Sequence, residues 1–190
     1  MEKVKIIFLL LIFYGMIQEG KAQEKIMVDK GLLRAQLTLS PSRMLSGEQT
    51  NFYLHGNVEG YLSSTLSLAG EGYYYLGSQS VQSIFDYNHS LFFGASWHFV
   101  HNSHDIFLGL QPGLSITRLS EANNNLALTH KGANPLFSWV MGYNYYVNEI
   151  FHFFIQTRLI LGEHNYDLHK NLSELRLSAG LGFNFNAGKK

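Results

Sequence analysis

Residues 52–62 read FYLHGNVEGYL: Phe52, Leu54, Val58 and Leu62 fall on one face, and Tyr53, His55, Asn57, Glu59 and Tyr61 on the other. Successive side chains of a strand point to opposite faces, so this period of two predicts a strand with one oily and one polar side. The polar side is odd for a soluble sheet. It carries no lysine but two tyrosines, a histidine and a glutamate, the composition of a confined space.

The same rhythm extends in both directions. Upstream, Leu33, Ala35, Leu37 and Leu39 alternate with Arg34, Gln36 and Thr38. Downstream, past a tight turn at Ser63 and Ser64, Leu66, Leu68 and Tyr74 face away from Ser67, Ala69, Glu71 and Tyr73. A fourth strand sets Leu91, Phe93, Ala95, Trp97 and Phe99 against Asn88, Ser90, Gly94, Ser96 and His98. A fifth sets Ile106, Leu108, Leu110, Leu114 and Ile116 against Gly109, Gln111, Gly113, Ser115 and Thr117. The sixth has Phe137, Trp139, Met141, Tyr143 and Tyr145 opposite Ser138, Gly142 and Asn144, and the seventh Phe153, Ile155, Leu159 and Leu161 opposite His152, Gln156, Arg158 and Gly162. The last sets Leu175, Leu177, Ala179, Leu181, Phe183 and Phe185 against Glu174, Arg176, Ser178, Gly180, Gly182 and Asn184.

About eight strands follow, joined alternately by long polar connections (residues 40–50, 76–86, 118–134 and 163–172) and short turns (near 63, 101–105 and 147–150). A soluble ligand-carrying barrel of the lipocalin kind shows the same period with its faces exchanged, so the period alone does not choose. Lysine does: all nine (3, 5, 21, 25, 30, 131, 170, 189 and 190) are expected outside the strands, whereas a water-facing strand surface uses them freely. Trp97, Phe99, Tyr143, Tyr145, Phe151, Phe153, Phe183 and Phe185 collect at the turn-side strand ends, as an interfacial aromatic girdle does, and Phe52, Tyr74, Phe137 and Trp139 begin the opposite one. Lipid cannot hydrogen-bond a backbone, so a sheet crosses a bilayer only when closed. The expected fold class is all-β, an eight-stranded antiparallel up-and-down transmembrane β-barrel, with long loops outside, short turns in the periplasm and both termini periplasmic.

The first residues support export. Lys3 and Lys5 precede an apolar core from Ile6 to about Ile17, then Gly20 and Ala22 in a small-x-small arrangement, which reads as a signal peptide over residues 1–22. A retained anchor is the alternative, but the apolar core is shorter than the roughly 20 residues a spanning helix needs. Residues 23–30 are then a short periplasmic segment, 31–186 the barrel and 187–190 a tail. The chain has no cysteine, so stability comes from the sheet, and a formal net charge of zero removes any reason to expect a nucleic-acid partner. Mean hydropathy of -0.04 is what alternating faces average to.

On these residues the chain resembles the small outer-membrane barrels of the OmpA and OmpX type. The runs GNVEGYLSSTLSLAGEGYYYLG, HSLFFGASWHF and LRLSAGLGFNFN look like strands of such a barrel, the last like its closing segment. The resemblance implies an integral protein of the Gram-negative outer membrane, in contact with outer-membrane lipids and lipopolysaccharide, and inserted by the barrel-assembly machinery. That family commonly ends on its aromatic residue, whereas here Phe185 is followed by Asn186, Ala187, Gly188, Lys189 and Lys190.

An eight-stranded barrel is just wide enough for its own side chains, so its interior is expected to be filled. The inward charges Arg34, Arg158 and Arg176 balance Glu59, Glu71 and Glu174, and isolated charges in a narrow interior are costly, so they are expected to pair, Arg34 with Glu59 and the other two arginines with Glu71 and Glu174. His98, His101 and His104 lie at or near one turn, and His164 and His169 share a loop; neither spacing is a metal signature, and solvated turn histidines are expected. No catalytic residue, cofactor or metal is assigned. Ser78, Ser80, Ser83 and His89 are the nearest approach to a nucleophile and base, Thr157 is the one polar strand residue expected toward lipid, and all strand histidines are expected to point inward.

Pro112 inside the fifth strand is expected to mark a bulge over Gln111-Pro112-Gly113. Gly56, Gly60, Gly70 and Gly72 all face outward, which reads either as relief of strain or as a groove for a lipid chain or membrane protein. The expected role is non-enzymatic: structural, or presenting loops to a protein or surface ligand, above all the loop Leu119 to Asn134. The rivals are a lipid A-modifying enzyme, a narrow channel and a secreted lipocalin-like barrel.

Overall fold

The computed structural model describes residues 27–80, 83–120, 131–165 and 169–186. The expected signal peptide, the tail from 187 and most of the 119–134 loop lie outside these residues. Nine strands follow in order: β1 (Leu32–Met44), β2 (Thr50–Tyr61), β3 (Leu66–Ser78), β4 (Phe85–His101), β5 (His104–Leu119), β6 (Lys131–Tyr146), β7 (Phe151–Asn165), β8 (His169–Asn171) and β9 (Glu174–Asn186). Each pairs antiparallel with its sequence neighbour from β1 to β7, β7 with β9, and β9 with β1, so eight strands close on themselves. The three-residue β8 only forms a small hairpin with the end of β7.

Burial is inverted relative to a soluble protein. Arg34, Glu59, Glu71, Arg158, Glu174 and Arg176 are at most 4% exposed, while Leu37, Phe93, Phe99 and Val58 are each more than 60% exposed. Such an exterior is stable only against hydrocarbon. Strands of 12 to 17 residues exceed the roughly 9–11 that cross a bilayer, so the sheet stands above the membrane at one end. At that loop end, Tyr53, Tyr73, Tyr75, Phe85, Phe92 and Leu136 form an apolar cluster in the lumen; at the turn end Val28, Leu32, Tyr61 and Tyr146 form a second.

Several expectations need correction. β1 runs on to Met44 and buries Ser40 and Ser42, so the first loop is much shorter than residues 40–50, and β6 begins at Lys131, which is therefore a strand residue. The short turn expected over 101–105 is only the two residues between β4 and β5, because Asp105 continues β5 and points inward. Pro112 marks no bulge: the β4–β5 ladder skips two pairs beside it and resumes in the same register, so the missing N–H is absorbed by a gap. The register shifts lie elsewhere, at Phe52/Tyr53 and Phe85/Tyr87. The closing β1–β9 ladder is also interrupted, between Gln36↔Gly182 and Ser42↔Arg176. There Thr38 Oγ1 and Ser40 Oγ donate to the carbonyls of Ala179 (2.7 Å) and Leu177 (2.9 Å).

Candidate functional site: the filled interior and the loop end

At the turn end, Arg34 and Glu59 face each other in register on β1 and β2, and Arg34 Nε donates to Glu59 Oε2 at 3.1 Å. The same guanidinium reaches Asp105 Oδ2 at 3.3 Å and the Tyr146 hydroxyl at 3.1 Å. His98 lies between the two acids, Nε2 3.0 Å from Glu59 Oε1 and Nδ1 2.9 Å from Asp105 Oδ1. An imidazolium, which donates from both nitrogens, satisfies both carboxylates at once. Asp105 also accepts from Asn144 (3.0 Å) and Tyr61 (3.1 Å).

Midway along the lumen, Glu71 on β3 pairs with Arg158 on β7 and also meets His55 Nε2 and Gln156 Nε2, each at 3.0 Å. Arg158 donates to Ser138 Oγ (2.6 Å) and Gln111 Oε1 (2.9 Å), and its guanidinium lies 4.5 Å from the Phe92 ring centre. Toward the loop end, Arg176 Nε donates to Glu174 Oε1 at 3.1 Å on the same strand, and the guanidinium sits 3.9 Å over the Tyr53 ring. Glu174 accepts from Ser42 Oγ (2.6 Å) and Tyr53 OH (3.0 Å). Arg158 and Arg176 are direct register partners, so each like charge needs its own acid.

Sequence reasoning missed Asp105 and placed His98 among solvated turn histidines, whereas His98 is buried between Glu59 and Asp105. Both were recoverable from parity: Asp105 lies two and four residues before the inward Phe107 and Gly109. With Asp105 included, three arginines meet four acids, and His98, placed between Glu59 and Asp105, would supply a fourth positive charge when protonated. His164 is likewise buried, while His101 and His104 are exposed, His104 Nδ1 lying 2.6 Å from the Tyr143 hydroxyl. Among the described residues, no group of three or more histidine, cysteine and acidic side chains is arranged to hold a metal ion.

His89 overturns the expectation that every strand histidine points inward. It stands on the outer wall, stacked against Tyr74 (4.3 Å) and Tyr87 (5.4 Å), with Nδ1 accepting the Tyr75 amide at 3.0 Å. Ser83 instead lies 2.8 Å from the lumenal Tyr75 hydroxyl and accepts the Phe85 amide at 3.1 Å, so serine and imidazole sit on opposite sides of the sheet. Thr157 is half-buried on the outer wall and donates to the Arg176 carbonyl at 3.3 Å. Of the eight turn-side aromatics, Trp97, Phe99, Tyr145, Phe153, Phe183 and Phe185 are exposed outward, and Tyr143 and Phe151 are partly covered.

No protein-family model matches the sequence, and neither does a curated protein. Solved structures do match. Neisserial surface protein A aligns with a TM-score of 0.63 at 16% identity, over 81% of this chain and 96% of that one. The fold is the small outer-membrane barrel. The N-terminal barrel domain of Pseudomonas aeruginosa OprF aligns at 0.56 and 16% identity (82% and 98% covered). Ail, the attachment invasion locus protein of Yersinia pestis, aligns at 0.55 and 11% identity (82% and 99% covered). At such identities the likeness is one of architecture, and it agrees with the inverted burial, an apolar wall turned to lipid.

Proposed function

We propose that the protein is a non-enzymatic integral outer-membrane barrel, exported by the segment 1–22, that stiffens the membrane and presents its loop-end connections to the outside. The carrying observation is the interior: buried arginines paired with acids along the lumen, with an apolar cluster rich in aromatic rings toward each end. Such a filled lumen holds the wall together and speaks against a channel. The separation of Ser83 from His89 disfavours a lipid A-modifying site. The longer connections cluster at the end where the strands outreach the bilayer, the side outer-membrane barrels turn outward. Ail, solved in complex with the heparin analogue sucrose octasulfate, shows that a barrel of this architecture can take a ligand.

The reading is tested on cells displaying the full chain or a variant with residues 121–130 replaced by a Gly/Ser linker. Attachment to polysaccharide- and protein-coated surfaces should fall in the variant while the folded, heat-modifiable band persists. Planar-bilayer conductance at the protein-free baseline and an unchanged lipid A mass spectrum are expected. Steady unitary currents or a shortened lipid A acyl pattern would replace this reading with the channel or the enzyme.

A further inference from the structure

The glycines of this barrel fall into two kinds. A Cβ added to the inward Gly94, Gly113 or Gly142 would meet a backbone carbonyl oxygen of the neighbouring strand at 2.6–2.7 Å, so the fold forbids a side chain there. At the outward Gly56, Gly60, Gly70 and Gly72 an added Cβ would meet only the tip of a leucine or phenylalanine, at 3.3–3.9 Å. Nor do they use the positive-φ region that favours glycine: among the described glycines only Gly31 and Gly77 have positive φ. Relief of strain therefore does not account for these four. What they do is leave the wall of β2 and β3 bare.

The bare wall forms the floor of a groove of about 470 Å³ on the outer face, within the roughly 300–1,000 Å³ typical of ligand sites. Leu37, Leu54, Leu91, Leu114 and Ile116 wall it around Gly56 and Gly72. It deepens where the β3–β4 ladder stops at Tyr73↔Ser90, although both strands continue, so these two lumenal residues also line it. Past that point the Tyr75 amide, which has lost its ladder partner, donates to His89 Nδ1. In the neutral ring this fixes the remaining proton on Nε2, a donor at the outer end of an otherwise apolar slot.

Depth follows from the strand rise. Counting about 10 residues, one bilayer crossing, from the girdle residue Phe99 reaches His89 on β4, and the same step from Ile106, its register partner, reaches Ile116 on β5. The groove therefore lies in the outer leaflet with Tyr74, His89 and Tyr87 at its headgroup boundary. Above it, Arg118 is two residues beyond Ile116 on the same face and is the register partner of Lys131. Asp86 compensates Arg118 at 3.2 Å, and Lys131 is exposed. The slot is oily in the hydrocarbon zone and, among the described residues, presents the exposed Lys131 in the headgroup zone.

We propose that this groove is a binding site for one acyl chain of an anionic outer-leaflet lipid, its chain laid over Gly56 and Gly72, its ester or phosphate oxygens accepting from His89 Nε2 and its charge meeting Lys131. Charge complementarity selects this occupant over a second copy of the chain, which would bring the same cation to the same place. The site is independent of any ligand at the loops.

The full chain, refolded into phosphatidylcholine vesicles containing phosphatidylglycerol, is probed by electron paramagnetic resonance with either lipid nitroxide-labelled on its acyl chain. A motionally restricted component is expected, with about a fivefold preference for phosphatidylglycerol, the worth of one exposed cation near a lipid surface. Gly56→Leu with Gly72→Leu should remove that component while the heat-modifiable folded band remains. Lys131→Gln should keep the restricted chain and abolish the preference. If the double variant fails to fold, Gly56→Ile alone carries the test, since its Cβ meets nothing nearer than Leu37 Cδ1 at 3.8 Å. A restricted component unchanged by filling the groove, equal retention of both lipids by the unaltered chain, or protein dimers crosslinked through Gly72→Cys would each overturn the proposal.

Discussion

The two ends of the lumen solve the same electrostatic problem differently. At the turn end one guanidinium, Arg34, serves two acids on different strands, and His98 links those acids from a third, so β1, β2, β4 and β5 are tied across the interior. At the loop end, Glu174 and Arg176 sit two residues apart on β9 and would meet whatever the rest of the barrel did, with the Tyr53 and Ser42 hydroxyls completing the acid. The first arrangement exists only when the barrel has closed in register; the second is nearly local. Interior charge therefore reports on closure at one end and merely fills space at the other.

Substitutions sharpen that contrast. Arg34→Met strands Glu59 and Asp105 together, and urea unfolding in detergent micelles, followed by Trp97 and Trp139 fluorescence, should show a loss of about 3–5 kcal/mol, the cost of breaking a buried pair. Glu71→Gln leaves Arg158 its contacts to Gln111 and Ser138, so about 2–3 kcal/mol is expected, the worth of hydrogen bonds to a charged group; unchanged heat-modifiable migration and midpoint would count against the mid-lumen pairing. Arg176→Met should cost only about 1–2 kcal/mol, because Glu174 keeps its hydroxyl donors. A loss equal to that of Arg34→Met would erase the distinction between the ends. Joint replacement of Asp105 by Asn and His98 by Gln removes one charge of each sign, and should cost about 1 kcal/mol or less, as removal of buried pairs often does. If the double change is as damaging as Arg34→Met, His98 is not the fourth cation. Smallest of all, Gly72→Leu on the outer wall should move stability by no more than about 0.5 kcal/mol, whereas the same change at the inward Gly94 should prevent folding.

Much of this was open to reading because a barrel strand repeats every two residues and needs no distant information. Alternation alone separated Arg34, Glu59, Glu71, Arg158, Glu174 and Arg176 from the leucines beside them. It failed where a strand ended. Asp105 and Lys131 were assigned to connections because polar residues at a strand end look like loop, and the fourth interior acid went uncounted with them. His89 was misplaced although parity gave its side, since Asn88 and Ser90 on either hand face inward.

The amino-acid order by itself determined that this is a closed sheet with an oily exterior, and which side chains are confined within it, since both follow from neighbouring residues taken in pairs. Only the tertiary structure decided which acid meets which arginine, that His98 bridges Glu59 and Asp105, and that β3 and β4 part above Tyr73 to open a slot over bare glycines. Those facts depend on how eight strands are staggered around one axis, and the stagger is fixed by closure, a property no single segment carries.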